Sequence, residues 1–160
     1  MKNRLILLLL GISILSGCSL TGRLYPVQGP LSKQIPLPVF IAKMNGVTNS
    51  GNISATLNDG EVCKGRWGVV PLVKASKGAT TVSDVSANNM SAEWDTVYGA
   101  GFYVAHVLGQ KLYVRAVVTG NRGTVLNMEM YRSVSQEDNT PGNVKGVAKD
   151  NKNNVYKMAF

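Results

Sequence analysis

Ile53-Ser54-Ala55-Thr56-Leu57-Asn58-Asp59-Gly60-Glu61-Val62-Cys63-Lys64-Gly65-Arg66-Trp67 is two alternating runs around a turn. Ile53, Ala55 and Leu57 share one side of an extended chain and Ser54 and Thr56 the other, because successive side chains of a strand point to opposite faces. Asn58-Asp59-Gly60 supplies residues that accept positive φ, so the chain can reverse there. On the returning run Cys63, Gly65 and Trp67 fall on one face, and Glu61, Lys64 and Arg66 take solvent-side or edge positions. Pro71 ends it, having no N–H for a ladder. The stretch predicts an antiparallel hairpin with one buried face.

The same period extends in both directions. Phe40, Ala42 and Met44 share the face of an earlier strand. Met90, Ala92 and Trp94 alternate with Ser91, Glu93 and Asp95, which predicts another strand before the Gly99-Ala100-Gly101 break. Runs over 102–108 and 112–119 follow, joined at Gly109-Gln110; the first could be helical, but the glycines before it disfavour a helix and Tyr103, Val104 and Val107 favour extended structure, so both are expected as strands. Leu126, Met128 and Met130 face away from Asn127 and Glu129 in the next run. A last hairpin joins 144–148 to 155–160. Residues 75–89 and 135–143 read as polar loops. Eight or nine short strands with little helical periodicity predict an all-β fold, an antiparallel β-sandwich or small barrel.

Upstream of the domain, Lys2 and Arg4 precede an apolar run of 11 residues, Leu5 to Leu15, and then Ser16-Gly17-Cys18. A basic start, a short apolar helix and small residues at a cleavage point form a secretory leader. The run is too short for a permanent span, which needs about 20 residues. Leu15-Ser16-Gly17-Cys18 resembles the lipobox of bacterial lipoproteins. The resemblance implies diacylglyceryl transfer to the Cys18 thiol, cleavage between Gly17 and Cys18, and, with Ser19 rather than Asp at the sorting position, an outer-membrane address. Gly60 to Trp67 and Gly146-Val147-Ala148-Lys149-Asp150 are similar to phrases of small envelope lipoproteins and imply no activity. The expected organisation is a leader over 1–17, a lipidated cysteine and tether over 18–38, and a β-rich domain over 39–160. Pro26, Pro30, Pro36 and Pro38 oppose helix and sheet in the tether, which could reach about 60 Å. Leu24-Tyr25-Pro26-Val27 is an alternative edge strand within it.

Loss of Lys2 and Arg4 with the leader takes the formal charge from +8 to +6 over 143 residues. A basic envelope protein is drawn to anionic phospholipid, lipopolysaccharide phosphate or acidic polymer. The charges are scattered, no nucleic-acid motif accompanies them, and export opposes a nucleic-acid role. Cys63 is left without an intramolecular partner, and burial is its ordinary protection.

Catalytic equipment is sparse. His106 is the single histidine, and its neighbours Val104 and Leu108 at i ± 2 predict a buried, structural ring. One histidine and one free cysteine supply no zinc set, and no cofactor signature is present. Glu93 and Asp95, about 7 Å apart on one strand face, are a candidate carboxylate pair. The expectation is an outer-membrane lipoprotein, its periplasmic or surface side left open, with a non-enzymatic binding or structural role. Its expected partners are the membrane, another envelope protein, or an anionic lipid or polysaccharide. Two alternatives stay open: a small enzyme acting on wall glycan or lipid through Glu93, Asp95 or His106, and a barrel binding an apolar or anionic small ligand.

Overall fold

Alternation of apolar and polar residues in run after run can be satisfied by curling one antiparallel sheet until its apolar face is enclosed, and that is the arrangement found. A computed structural model describes residues 19–47, 49–70, 90–108, 113–132 and 144–160. Eight strands, β1 (Ser19–Gln28), β2 (Phe40–Val47), β3 (Ser50–Thr56), β4 (Val62–Val69), β5 (Tyr113–Gly120), β6 (Val125–Arg132), β7 (Val144–Asp150) and β8 (Val155–Ala159), pair in chain order. β1 also pairs with β8, closing the barrel. Of the sandwich and barrel alternatives the fold is the barrel.

The inward positions are those of the sequence pattern. Ile53, Ala55 and Cys63 are buried in the barrel, Trp67 packs against the same cluster, and Lys64 and Arg66 are exposed. Close approach of strands demands glycine at Gly65, where a methyl group would overlap the Val117 carbonyl oxygen across the β4–β5 ladder. Cys63 is a free, buried thiol, and burial pushes its pKa up.

Three expectations are corrected. Of the tether expected over 18–38, Ser19–Gln28 is β1, which takes in the alternative strand at Leu24-Tyr25-Pro26-Val27 but is paired on both sides rather than at an edge, and Pro30–Lys33 is a 3₁₀ turn. Gly22, Leu24 and Pro26 are buried, so a period of two ran through the prolines, and Pro26 sits where the β1–β8 register shifts, a bulge that tolerates its missing N–H. The strand expected around Met90 to Asp95 is helix α1 (Ser91–Tyr98), and the run from Phe102 contains a π-helical turn, Tyr103–Val107. Trp94, Tyr98, Phe102 and His106 recur every four residues, a helical spacing that short alternating runs hid; the first three rings stack in sequence at 5.5 and 4.6 Å, and His106 tilts against Phe102 at 4.6 Å. The expected loops over 75–89 and 135–143 and the Gly109-Gln110 connection lie outside the described residues.

Glu61 is the third correction. Expected at the surface, it is fully buried. Its carboxylate accepts hydrogen bonds from the Thr124 hydroxyl at 2.6 Å and from the backbone N–H groups of Arg122 and Thr124 at 2.8 and 3.2 Å, joining the β3–β4 turn to the β5–β6 turn. Asp150 organises the β7–β8 turn in the same way, accepting from the N–H of Asn154, its side-chain amide and the Tyr156 hydroxyl. Asn151 ties that turn to Gly123 and Val125, and Asn154 accepts from the N–H of Leu31. One end of the barrel is thereby laced together by side chains of its own turns.

The Thr124 hydroxyl, followed by the two backbone N–H groups, holds the Glu61 carboxyl below its ordinary value of 4.5, against the opposing effect of burial. The folded state therefore gains stability from ionised Glu61 above that ordinary value and loses it as pH falls toward the depressed one. We expect Glu61→Gln to lower the melting temperature at neutral pH and to shrink the further fall between about pH 6 and about pH 3, measured by circular dichroism.

Candidate functional site

A barrel filled by its own side chains leaves its outer surface for other work. The interior cluster draws on every strand, with Leu24, Phe40, Leu126, Met130, Tyr156 and Met158 among its large members. Outside β5–β7 a second, smaller core forms where Trp94 and Met90 meet Tyr113, Tyr131 and Val147 with the π-helical turn. Beside it opens a cleft of about 490 Å³, whose charged lining is Glu93, Arg115, Glu129 and Lys149.

The cleft is built around Glu129. β6 points this carboxylate outward, but α1 covers it, leaving the side chain 2% exposed. Arg115 Nε donates to it at 2.9 Å, the Trp94 indole at 3.0 Å and the Met90 N–H at 3.3 Å. A charge removed from water needs partners of this kind. Lys149 Nζ meets Glu93 at 2.7 Å on the other side, and both cations remain partly exposed. Tyr113 is fully buried below, its hydroxyl without a hydrogen-bond partner among the described residues; burial, reinforced by the charge of Glu129, drives its pKa upward.

Each acid of the cleft faces a cation, so the cleft is locally balanced. Among the described residues no cluster of three metal-ligating side chains occurs.

The residues singled out in the sequence do not converge. Glu93 is in the cleft. Asp95, on the same helix rather than a strand, accepts from the N–H of Tyr103 at 3.0 Å and fixes the start of the π-helical turn. Backbone N–H groups, that of Tyr103 first, hold its carboxyl below the ordinary range. His106 is exposed, contrary to the buried position expected, because the turn aims it outward to cap the ring stack on Phe102. Leu15, Ser16, Gly17 and Cys18 lie outside the described residues; Ser19 opens β1. Arg115 opposite Glu129 was missed. Counting equal steps back from the Asn121-Arg122-Gly123 turn would have placed the two side by side.

Comparison of the chain with family models, curated proteins and solved structures finds no match.

Removing the Glu129 carboxylate strands three donors. We expect Glu129→Ala to cost about 2–4 kcal/mol in urea unfolding, less than a fully enclosed pair because Arg115 reaches water. The near-ultraviolet dichroism of Trp94 should weaken while the far-ultraviolet strand signal persists.

Proposed function

We propose that this chain is a lipid-anchored protein of the bacterial cell envelope, its barrel serving a non-enzymatic binding or structural role at the outer membrane. The carrying observation is the position of β1, whose pairing begins at Ser19, opposite Asn45, directly after the cysteine of the lipobox-like phrase. An acyl group on Cys18 would thus be built onto the barrel wall itself, since consecutive Cα atoms lie 3.8 Å apart. The leader pattern of Lys2, Arg4, the apolar run and Leu15-Ser16-Gly17 supports the same reading. Two or three acyl chains, at about 0.8 kcal/mol per buried CH₂, hold a protein stably to a bilayer. Among the described residues no helix is long and apolar enough to cross one.

Separation of Glu93, Asp95 and His106 favours binding over the wall-acting enzyme. The cleft beside α1 favours a second reading, in which the outer wall holds a small polar ligand.

Intact mass measurement of the protein purified from membranes tests the anchor. We expect a chain starting at Cys18 with added diacylglyceryl mass, and transfer of the Cys18→Ala product out of the lipid-modified fraction. A native product with another first residue, or without fatty-acid mass, overturns the proposal.

A further inference from the structure

Strand alternation makes residues of β2 point in and out by turns, and the segment 34–37 that leads into it is exposed throughout. Pro38, Phe40 and Ala42 are buried. Their odd-numbered neighbours face solvent, and four of those are large and apolar: Ile35 at 98% exposed, Leu37 at 45%, Val39 at 42% and Ile41 at 50%. Contiguous exposed apolar residues on a well-folded wall mark a contact surface. The strip then turns polar, through exposed Lys43 and Asn45.

The strands beside it carry charge of one sign. Ile41 pairs with Arg23 on β1, and Lys43 pairs with Ser54, which pairs with Lys64 on β4. Arg23, Lys43, Lys64 and Arg66 are all exposed, and β1 to β4 contain no acid. None of the four forms an ion pair with a described residue. On the opposite wall Arg115 and Lys149 are matched by Glu129 and Glu93, whereas Arg132, Lys145 and Lys157 form no ion pair with a described residue. β1 to β4, which carry no acid, are the strands that adjoin the apolar strip and include the start of β1.

We infer that the β1–β2 wall, with the 35–39 segment at its far end, is a seat on an anionic phospholipid bilayer. Ile35, Leu37 and Val39 enter the headgroup and upper acyl region, and Arg23, Lys43 and Lys64 meet lipid phosphates. The inference rests on the proposed anchor, because acyl chains on Cys18 would enter the bilayer from the other end of the same strand. Ten residues of β1 separate the two contacts, roughly 33 Å at a strand's rise, so the barrel would lie along the membrane rather than hang from it. Mixed apolar and basic side chains on one face are the composition of interfacial segments.

The test uses the lipidated protein purified from membranes, carrying Leu37→Cys labelled with an environment-sensitive fluorophore; Cys63 is buried and resists labelling. It is reconstituted on vesicles of phosphatidylcholine with or without phosphatidylglycerol. We expect the probe to shift to the blue on the anionic vesicles, the shift to weaken in about 1 M salt, where the Debye length is about 3 Å, and Arg23→Glu/Lys43→Glu/Lys64→Glu to abolish it with the circular dichroism unchanged. Failure to float with either vesicle overturns the anchor. Flotation with both, but a water-like probe on both, overturns the seat and leaves the anchor standing. A shift without vesicles that grows with protein concentration assigns the face to a second copy, and a shift seen only with lipopolysaccharide assigns it to that surface; each overturns the phospholipid seat.

Discussion

The ladder between β1 and β8 is the contact on which the molecule depends. It runs from Arg23 opposite Ala159 to Gln28 opposite Val155 and turns an eight-strand meander into a closed wall. An open sheet of this length would present two unpaired edges and one broad apolar face to water. Closure removes both at once. It also fixes the interior as a volume to be filled: Ala42, Ala55, Ala116 and Ala148 make room for Phe40, Tyr156 and three methionines, and the ring of Phe40 tilts against that of Tyr156 at 5.6 Å. A small barrel packed in this way fills its interior with its own side chains.

The acids serve the same closed wall. Glu61 and Asp150 are spent inside turns, where each takes several donors and locks neighbouring hairpins together. Glu129 holds α1 to the wall, Asp95 fixes the π-helical turn, Glu93 meets Lys149, and Asp59 meets Arg122. Every described acid is thus engaged in architecture. The basic residues of β1 to β4 have no such duty, and the one-sided feature of the folded barrel is the placement of its strand acids, Glu129 and Asp150, on β6 and β7.

Much of this was legible in the sequence, and the omissions have a common cause. β2 to β8 follow from alternation and turn residues, since each presents one apolar face and the turns carry Gly60, Gly123 or Asn153 at positive φ. β1 was obscured because proline and glycine suppress the strand signal locally, while the gain from closing the barrel, which overrides them, is not local. The α1 segment was misread because Met90 and Trp94 fit spacings of both two and four over so short a run; only the ring series from Trp94 to His106 separates the two. Glu61 looked like a surface charge because nothing in the hairpin itself reveals that Thr124, sixty-three positions away, supplies the partner. The lipobox-like phrase Leu15-Ser16-Gly17-Cys18, by contrast, is a local pattern and needs no fold to be read.

Alternation also constrains what the outer surface can mean. Burying Phe40 and Ala42 obliges residues 39, 41 and 43 to face outward, but it does not oblige them to be valine, isoleucine and lysine. Threonine or serine would fill the same strand positions and keep the wall wetted. Each apolar side chain forgoes roughly 25 cal/mol per Å² of the surface it leaves in water, so the exposed parts of Ile35, Leu37, Val39 and Ile41 add nothing to folding. Their concentration on the wall that lacks acids, beside the strand that starts at Ser19, is what a surface shaped by contact with something outside the barrel would display.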